Sequence, residues 1–206
     1  MIRENLPDFN FQTFYVSKEE SNCSLISEII KTSKKFFELD FFKNIEHIIF
    51  SLRYIKRILI NADKSNFKSF KQEDFLEIVD YDPLKKVILL IGPKEPRIET
   101  PIHWLIHNSR EEINAVIQIN DKNLAEKIEK KLPTTEKDYP SGTLEQAKEI
   151  LRILRYSKIV VIKNQGILFV GNNTKEVEDL IIKTFEELKW KLKEKNLELC
   201  GSKMVW

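Results

Sequence analysis

The chain has 206 residues, enough for one domain with a sizeable core, and 42% of them are hydrophobic, the usual share for a globular protein. Lys and Arg number 34 against 32 Asp and Glu, so the net charge of +2 carries no electrostatic footprint for nucleic acid, and no aromatic-basic module accompanies it. No apolar run reaches the roughly 18 residues of a membrane span, and the N-terminus has no signal-peptide pattern, so the expected setting is the cytoplasm with Cys23 and Cys200 as free thiols.

Residues 1–18 lack a clear period and contain Pro7. They read as an extended arm anchored by Phe9, Phe11, Phe14 and Tyr15, ahead of a single domain over 19–206. Ser17 followed by Lys18-Glu19-Glu20 has the form of a capping box. The helix behind it buries Leu25, Ile26, Ile29, Ile30 and Phe36 at helical spacing. Residues 47–54 and 55–61 are rich in Ile, Phe and Leu, as strands are. Residues 75–79 and 87–91 read the same way, with Asp82-Pro83 turning the chain between them. Helical spacing covers 99–109, a strand follows at 114–120, and a helix at 123–131 stops before Pro133. Thr143 is the expected N-cap of a helix over 143–155. Strands at 158–163 and 167–170 flank Asn164-Gln165-Gly166, and Thr174 is the expected cap of a last helix running to about Lys193; residues 197–206 have no clear type. Strands interleaved with helices imply a three-layer α/β/α domain, and the short connections imply a largely antiparallel central sheet.

The run from Glu99 through His103 and His107 to Gln118-Ile119-Asn120 resembles the core motif of the class II aldolase/adducin family. That motif has a Glu, a His four residues later, a loop, and a strand ending in His-x-His. A second block, Lys163-Asn164-Gln165-Gly166-Ile167-Leu168-Phe169-Val170-Gly171, is similar to the family's His-Gly turn between two strands. Gly142-Thr143 precedes it like the family's helix start, Glu186 and Glu187 follow it, and Ser51-Leu52-Arg53 resembles the end of the family's Asn-Val-Ser-x-Arg strand. The resemblance covers roughly residues 20 to 195 and implies a class II aldolase-like fold.

In that family three histidines hold a divalent metal, usually zinc. The metal polarises a carbonyl so that the adjacent carbon–carbon bond breaks through an enediolate, and a Glu carries the proton. Here the resemblance places Gln118, Asn120 and Gln165 at the ligand positions and Glu99 at the acid/base position. Amide oxygens are neutral, weak donors that zinc rarely selects, so no cofactor is expected. The family's phosphate loop falls in 45–49, where Glu46 repels phosphate, and its Ser-Ser pair reads Arg97-Ile98, with Arg97 able to hold an anion in its own way. Two functions follow from the resemblance. One is a binding or scaffold homologue without zinc, with the binding of a small polar ligand in a cleft of Arg97, Gln118, Asn120 and Gln165 as a reserve reading. The other is a metal-dependent aldehyde-lyase, aldolase- or epimerase-like on a sugar or sugar phosphate, using Glu99 with zinc in an unusual ligand set. The resemblance also implies a homo-oligomer, a tetramer with the cleft at a subunit boundary.

Three other features have rival readings. Glu99, His103 and His107 share one helical face and could form a metal site of their own, although packing is the simpler role. Trp104 and Trp190 fit a core or an interface. Lys56, Arg57 and the lysines of 64–71 fit a solvated edge better than an anionic partner's surface.

Overall fold

A computed structural model describes residues 11–201, with side chains through Leu188. The Ile- and Phe-rich runs become β1 (Gln12–Ser17), β2 (His47–Tyr54), β3 (Arg57–Asn61), β4 (Phe75–Asp82), β5 (Val87–Ile91), β6 (Ala115–Asn120), β7 (Ile159–Ile162) and β8 (Gly166–Gly171). They form one eight-stranded sheet of order β1-β5-β4-β3-β2-β6-β8-β7. Only β1 and β5 pair in parallel; the other neighbours are antiparallel. One face carries α1 (Ile26–Glu38), α3 (Lys122–Ile128) and α5 (Thr174–Gly201), and the other carries α2 (Thr100–Ser109) and α4 (Leu144–Ile153). The three-layer, largely antiparallel α/β/α domain is therefore the observed one. No helix among the described residues is long and apolar enough to cross a membrane.

Aromatic packing holds the first face. Phe36 of α1 stacks on Phe42 with ring centroids 4.6 Å apart, and Phe185 of α5 meets Phe42 at 5.3 Å. Phe50 of β2 lies 6.1 Å from Phe36, so one aromatic cluster ties two helices to the sheet.

The arm and the first helix differ from the sequence reading. Gln12–Ser17 is extended but joins the sheet as its edge strand. Strand alternation splits the expected anchors: Phe11 is buried, Tyr15 donates to the Lys94 carbonyl at 3.2 Å, and Phe14 faces outward. Phe9 lies outside the described residues. Ser17 caps no helix, because its hydroxyl accepts from the Glu19 N–H two residues on. The polar run after it uses its side chains locally, Ser21 accepting from the Cys23 N–H, and α1 begins only at Ile26. Thr143 does cap α4, accepting from the Gln146 N–H. The cap of α5 is Asn173 rather than Thr174; Asn173 accepts from the Glu176 N–H at 2.9 Å. That helix continues to Gly201, past the expected end near Lys193.

Tyr54 and Arg57 pair across a two-residue hairpin turn in which Ile55 takes φ +56°. A β-branched side chain in the left-handed region costs about 1 kcal/mol, and Ile55 is 79% exposed, so it recovers little by burial. Ile55→Asn is expected to stabilise the protein by about 0.5–1 kcal/mol. The urea midpoint reads this directly, and an unchanged or lower midpoint would refute it.

Candidate functional site

Period-two alternation along β6 turns both Gln118 and Asn120 toward α2. In register with them stand Ile49 and His47 of β2 on one side and Leu168 and Gly166 of β8 on the other. Glu99 occupies the N-cap position of α2, where Pro101 suits the first turn. Its backbone carbonyl accepts from Ile102 and His103, which aims the side chain back at the strand ends.

Three of the expected residues meet in one hydrogen-bonded chain. The Asn120 amide bonds the Glu99 carboxyl at 2.8 Å, the Gln118 and Asn120 amides bond each other at 2.8 Å, and the Gln118 amide lies 3.3 Å from His103 Nε2. Arg97 closes the same corner. It is buried, donates to the Ala62 carbonyl at 3.2 Å, and holds its Nε 3.8 Å from Glu99 Oε2.

Gln165 does not bond these residues. It precedes Gly166, the register partner of Asn120, but its amide turns to a loop. Ser141 and Gln146 donate to its oxygen at 2.8 and 2.6 Å, and its nitrogen donates to Asp138 at 3.2 Å and to the Tyr139 carbonyl. The Asn164 and Gln165 amides together hold the Asp138 carboxyl below the usual carboxylate range. The loop passes close to α2's entry, since a Cβ on Gly142 would fall 2.3 Å from the Ile98 carbonyl oxygen. Gln165 thus pins the loop that lies beside the cleft.

Gly166 sets how closely this turn approaches β6. A Cβ there would sit 2.1 Å from the Ile119 carbonyl oxygen and 3.0 Å from the Asn120 Cα, both backbone atoms that side-chain rotation cannot move. Gly166→Ala is expected to cost about 3 kcal/mol or more, read as a drop in the urea midpoint. Wild-type stability in that variant would show that the two strands can part without penalty.

The two α2 histidines are structural. Ser51 of β2 reaches His103 Nδ1 at 2.7 Å and His107 Nε2 at 2.9 Å, and His107 Nδ1 donates to the Ile113 carbonyl at 3.1 Å. Burial pushes both rings well below their ordinary value, His103 to about 3 with His107 as the next cause and His107 to about 4. Every ring nitrogen has a protein neighbour, and Glu99 points to Asn120. A separate helical metal site from Glu99, His103 and His107 is therefore ruled out by geometry. Arg53 fixes the other end of α2, donating to the carbonyls of His107, Arg110 and Ile113 and to the Asn114 side chain.

Other expected features find plain roles. Glu46 projects into solvent, Ile45, Ile48 and Ile49 are buried, and residues 47–49 belong to β2 rather than to a loop. Trp104 packs edge-on to Tyr81 at 5.6 Å, while the side chain of Trp190 lies outside the described residues, as does that of Cys200. Arg57 pairs with Glu77 at 2.7 Å. Ser51, Asp138, Ser141 and Gln146 were not singled out as site residues from the sequence. Ser51 sits in a motif that marked only a strand, Gln146 sits in the first turn of the helix expected over 143–155, and Asp138 and Ser141 sit where no periodic pattern points.

Zinc needs imidazole, thiolate or carboxylate donors aimed at one point. Gln118, Asn120 and Gln165 offer neutral amides, each already bonded, in two separate networks. Among the described residues no three His, Cys, Asp or Glu side chains gather in a metal-holding group. The residues present do not fit the metal.

The family model for the Class II Aldolase and Adducin N-terminal domain matches residues 27–125. No curated protein matches the chain. Among solved structures, an L-fuculose 1-phosphate aldolase superposes with a TM-score of 0.70 at 20% identity, over 86% of this chain and 89% of that one. A sugar-phosphate aldolase from Thermotoga maritima gives 0.65 at 15% identity, over 85% and 97%. An l-fuculose-1-phosphate aldolase from Thermus thermophilus gives 0.63 at 16% identity, over 84% and 97%. At these identities the likeness is one of fold.

Proposed function

We propose, from the premise that this chain belongs to the class II aldolase superfamily, that it is a cytoplasmic binding homologue without zinc-dependent aldol cleavage. Its ligand is a small polar molecule held where Arg97, Glu99 and Asn120 meet. The observation that carries this reading is the closed bonding of the three amides. Gln118 and Asn120 are joined to each other and to Glu99, and Gln165 is committed to the Asp138–Ser141 loop, so no open ligand set faces a substrate carbonyl. Polyols, sugar acids and sugar phosphates are the chemistry such a corner of amide, carboxyl and guanidinium groups recognises.

A metal-free thermal-shift screen of these compounds tests the proposal. A ligand at about 100 times its Kd adds about 2.7 kcal/mol to stability, and the gain should vanish in Arg97→Ala or Asn120→Ala. Zinc-stimulated cleavage of L-fuculose 1-phosphate by the purified protein would overturn it.

The retained Glu99 favours one second reading, a metal-dependent aldehyde-lyase in which Glu99 moves the proton. That reading requires activity lost on chelation and in Glu99→Gln. The chain is also proposed to assemble as a homotetramer, as its resemblance implies. Sedimentation showing only monomer at micromolar concentration would exclude this.

A further inference from the structure

At the end of β6 away from Asn120, three turns surround a cleft of about 290 Å³. Asn120 pairs with Gly166 and Ala115 pairs with Gly171, which lines this cleft, so the length of β6 separates it from the amide corner by about 17 Å. The α2–β6 loop contributes Arg110 and Glu112, the α4–β7 turn contributes Arg155, Tyr156 and Lys158, and the β8–α5 turn contributes Asn172.

The turns are braced against one another. Arg110 Nη1 donates to the Leu154 carbonyl at 2.8 Å, which ties the first turn to the buried end of α4. The Ser157 hydroxyl spans the N–H and carbonyl of Ile159, and the Tyr156 and Ser157 N–H groups both donate to the Ile153 carbonyl. That fixes the second turn with Arg155 and Tyr156 outward. Glu176 accepts from the Asn172 N–H at 2.8 Å and pairs with Lys158, which ties the third turn to the second.

Local pairing neutralises two of the three cations. Arg110 donates to Glu112 at 2.6 Å and holds its carboxyl below the usual carboxylate range, and Lys158 does the same for Glu176. The Arg155 guanidinium makes no hydrogen bond or ion pair among the described residues, so it is surplus positive charge on the cleft wall. Tyr156 lines the same cleft and is 68% exposed, so most of its ring is unspent in packing.

We propose that this cleft binds a small ring-bearing oxyanion, its phosphate or carboxylate group taken by Arg155 and its ring laid against Tyr156. The planar fork of a guanidinium matches two oxygens of either group, and an aromatic face favours a second ring. The volume is near the lower bound of ordinary ligand pockets, roughly 300 Å³, which suits a single ring with one anionic group. The site does not depend on the reading of the amide corner.

Nitrogen-15 amide spectra of the full chain, titrated at low ionic strength with phenyl phosphate, benzoate and benzyl alcohol, test this. The expected result is saturable shifts at residues 110–113, 154–158 and 170–172 with at least one anion, and none with benzyl alcohol. The tighter of the two anions tells phosphate from carboxylate. Arg155→Ala should weaken binding about tenfold, and Arg155→Lys, which keeps the charge without the fork, should fall between. Tyr156→Ala should weaken phenyl phosphate about fivefold and leave inorganic phosphate unchanged. Both side chains are exposed, so these substitutions leave the core intact. No saturable shift at these residues with either anion overturns the proposal, as do equal shifts with benzyl alcohol or affinity that survives Arg155→Ala. Unchanged phenyl phosphate affinity in Tyr156→Ala overturns the role given to the ring. Shifts confined to Arg97, Glu99 and Asn120 overturn this cleft and leave the amide-corner reading standing.

Discussion

Acidification from neutral pH to about pH 4 is expected to remove several kcal/mol of stability, beginning near pH 6, before ordinary carboxylates titrate. The cause is the pair of enclosed rings on α2. His103 and His107 fall to about 3 and about 4 in the fold, against 6.5 ordinarily. A base whose folded value is depressed is neutral in the native state while the unfolded chain already binds its proton. The stabilisation is complete above about pH 6.5 and is lost as pH falls toward the folded values. Treated separately, each ring contributes about 3 kcal/mol between pH 6.5 and pH 4. The rings share Ser51 and would repel each other as cations, so they act as one unit rather than two additive sites. For a domain whose total stability is on the order of 5–15 kcal/mol, this suffices for cooperative acid unfolding. Urea midpoints at pH 7, 6, 5 and 4 measure it. A flat profile between pH 6.5 and 5 would show that the rings are not held neutral by burial.

The second large effect is a gain of metal. Gln118→His, Asn120→His and Gln165→His together are expected to give stoichiometric zinc binding that the parent lacks. Gln118 and Asn120 share a face of β6, and Gln165 adjoins the residue paired with Asn120, so three imidazoles can approach one ion at about 2.0–2.1 Å. The substitution also breaks the chain to Glu99 and releases the Asp138–Gly142 loop from Gln165. Unsupported ligands cost about 10–100-fold in affinity, so binding should be weaker than in an evolved site. Aldol cleavage is not expected to return, because the three substitutions do not restore a phosphate pocket at 45–49, where Glu46 still stands. Equilibrium dialysis decides the matter. Zinc in the unmodified parent would show that amides suffice; no gain in the triple variant would show that the three positions do not converge.

Much of the fold was legible because it follows local rules. The Ile-, Phe- and Leu-rich runs at 47–54 and 87–91 form strands where the pattern placed them, and the strand expected at 114–120 begins one residue later, at Ala115. Alternation alone put Gln118 and Asn120 on one face, and the spacing of Glu99 from His103 put both on the first turns of α2. Thr143 capped its helix because an N-cap bond spans only three residues. Less legible were elements decided by competition for partners. Ser17 had the sequence of a cap, but its hydroxyl closed a local turn and α1 began eight residues beyond the expected start of its pattern. The apolar arm entered the sheet because β5 offered an unpaired edge, which no local spacing encodes.

The sequence by itself determined the layered architecture, the side-chain parity of β6 and the chemical types at the candidate site, since periodicity and residue identity act over a few residues. Only the tertiary structure decided what those side chains bond. Ser51 meets His103 across 52 positions and Gln165 meets Asp138 across 27, and Glu99 meets Asn120 across 21. Hydrogen-bond partners so far apart in the chain are set by strand register and helix packing. For that reason three amides that look equivalent in the sequence separate into a buried chain ending at Glu99 and a latch that holds a loop.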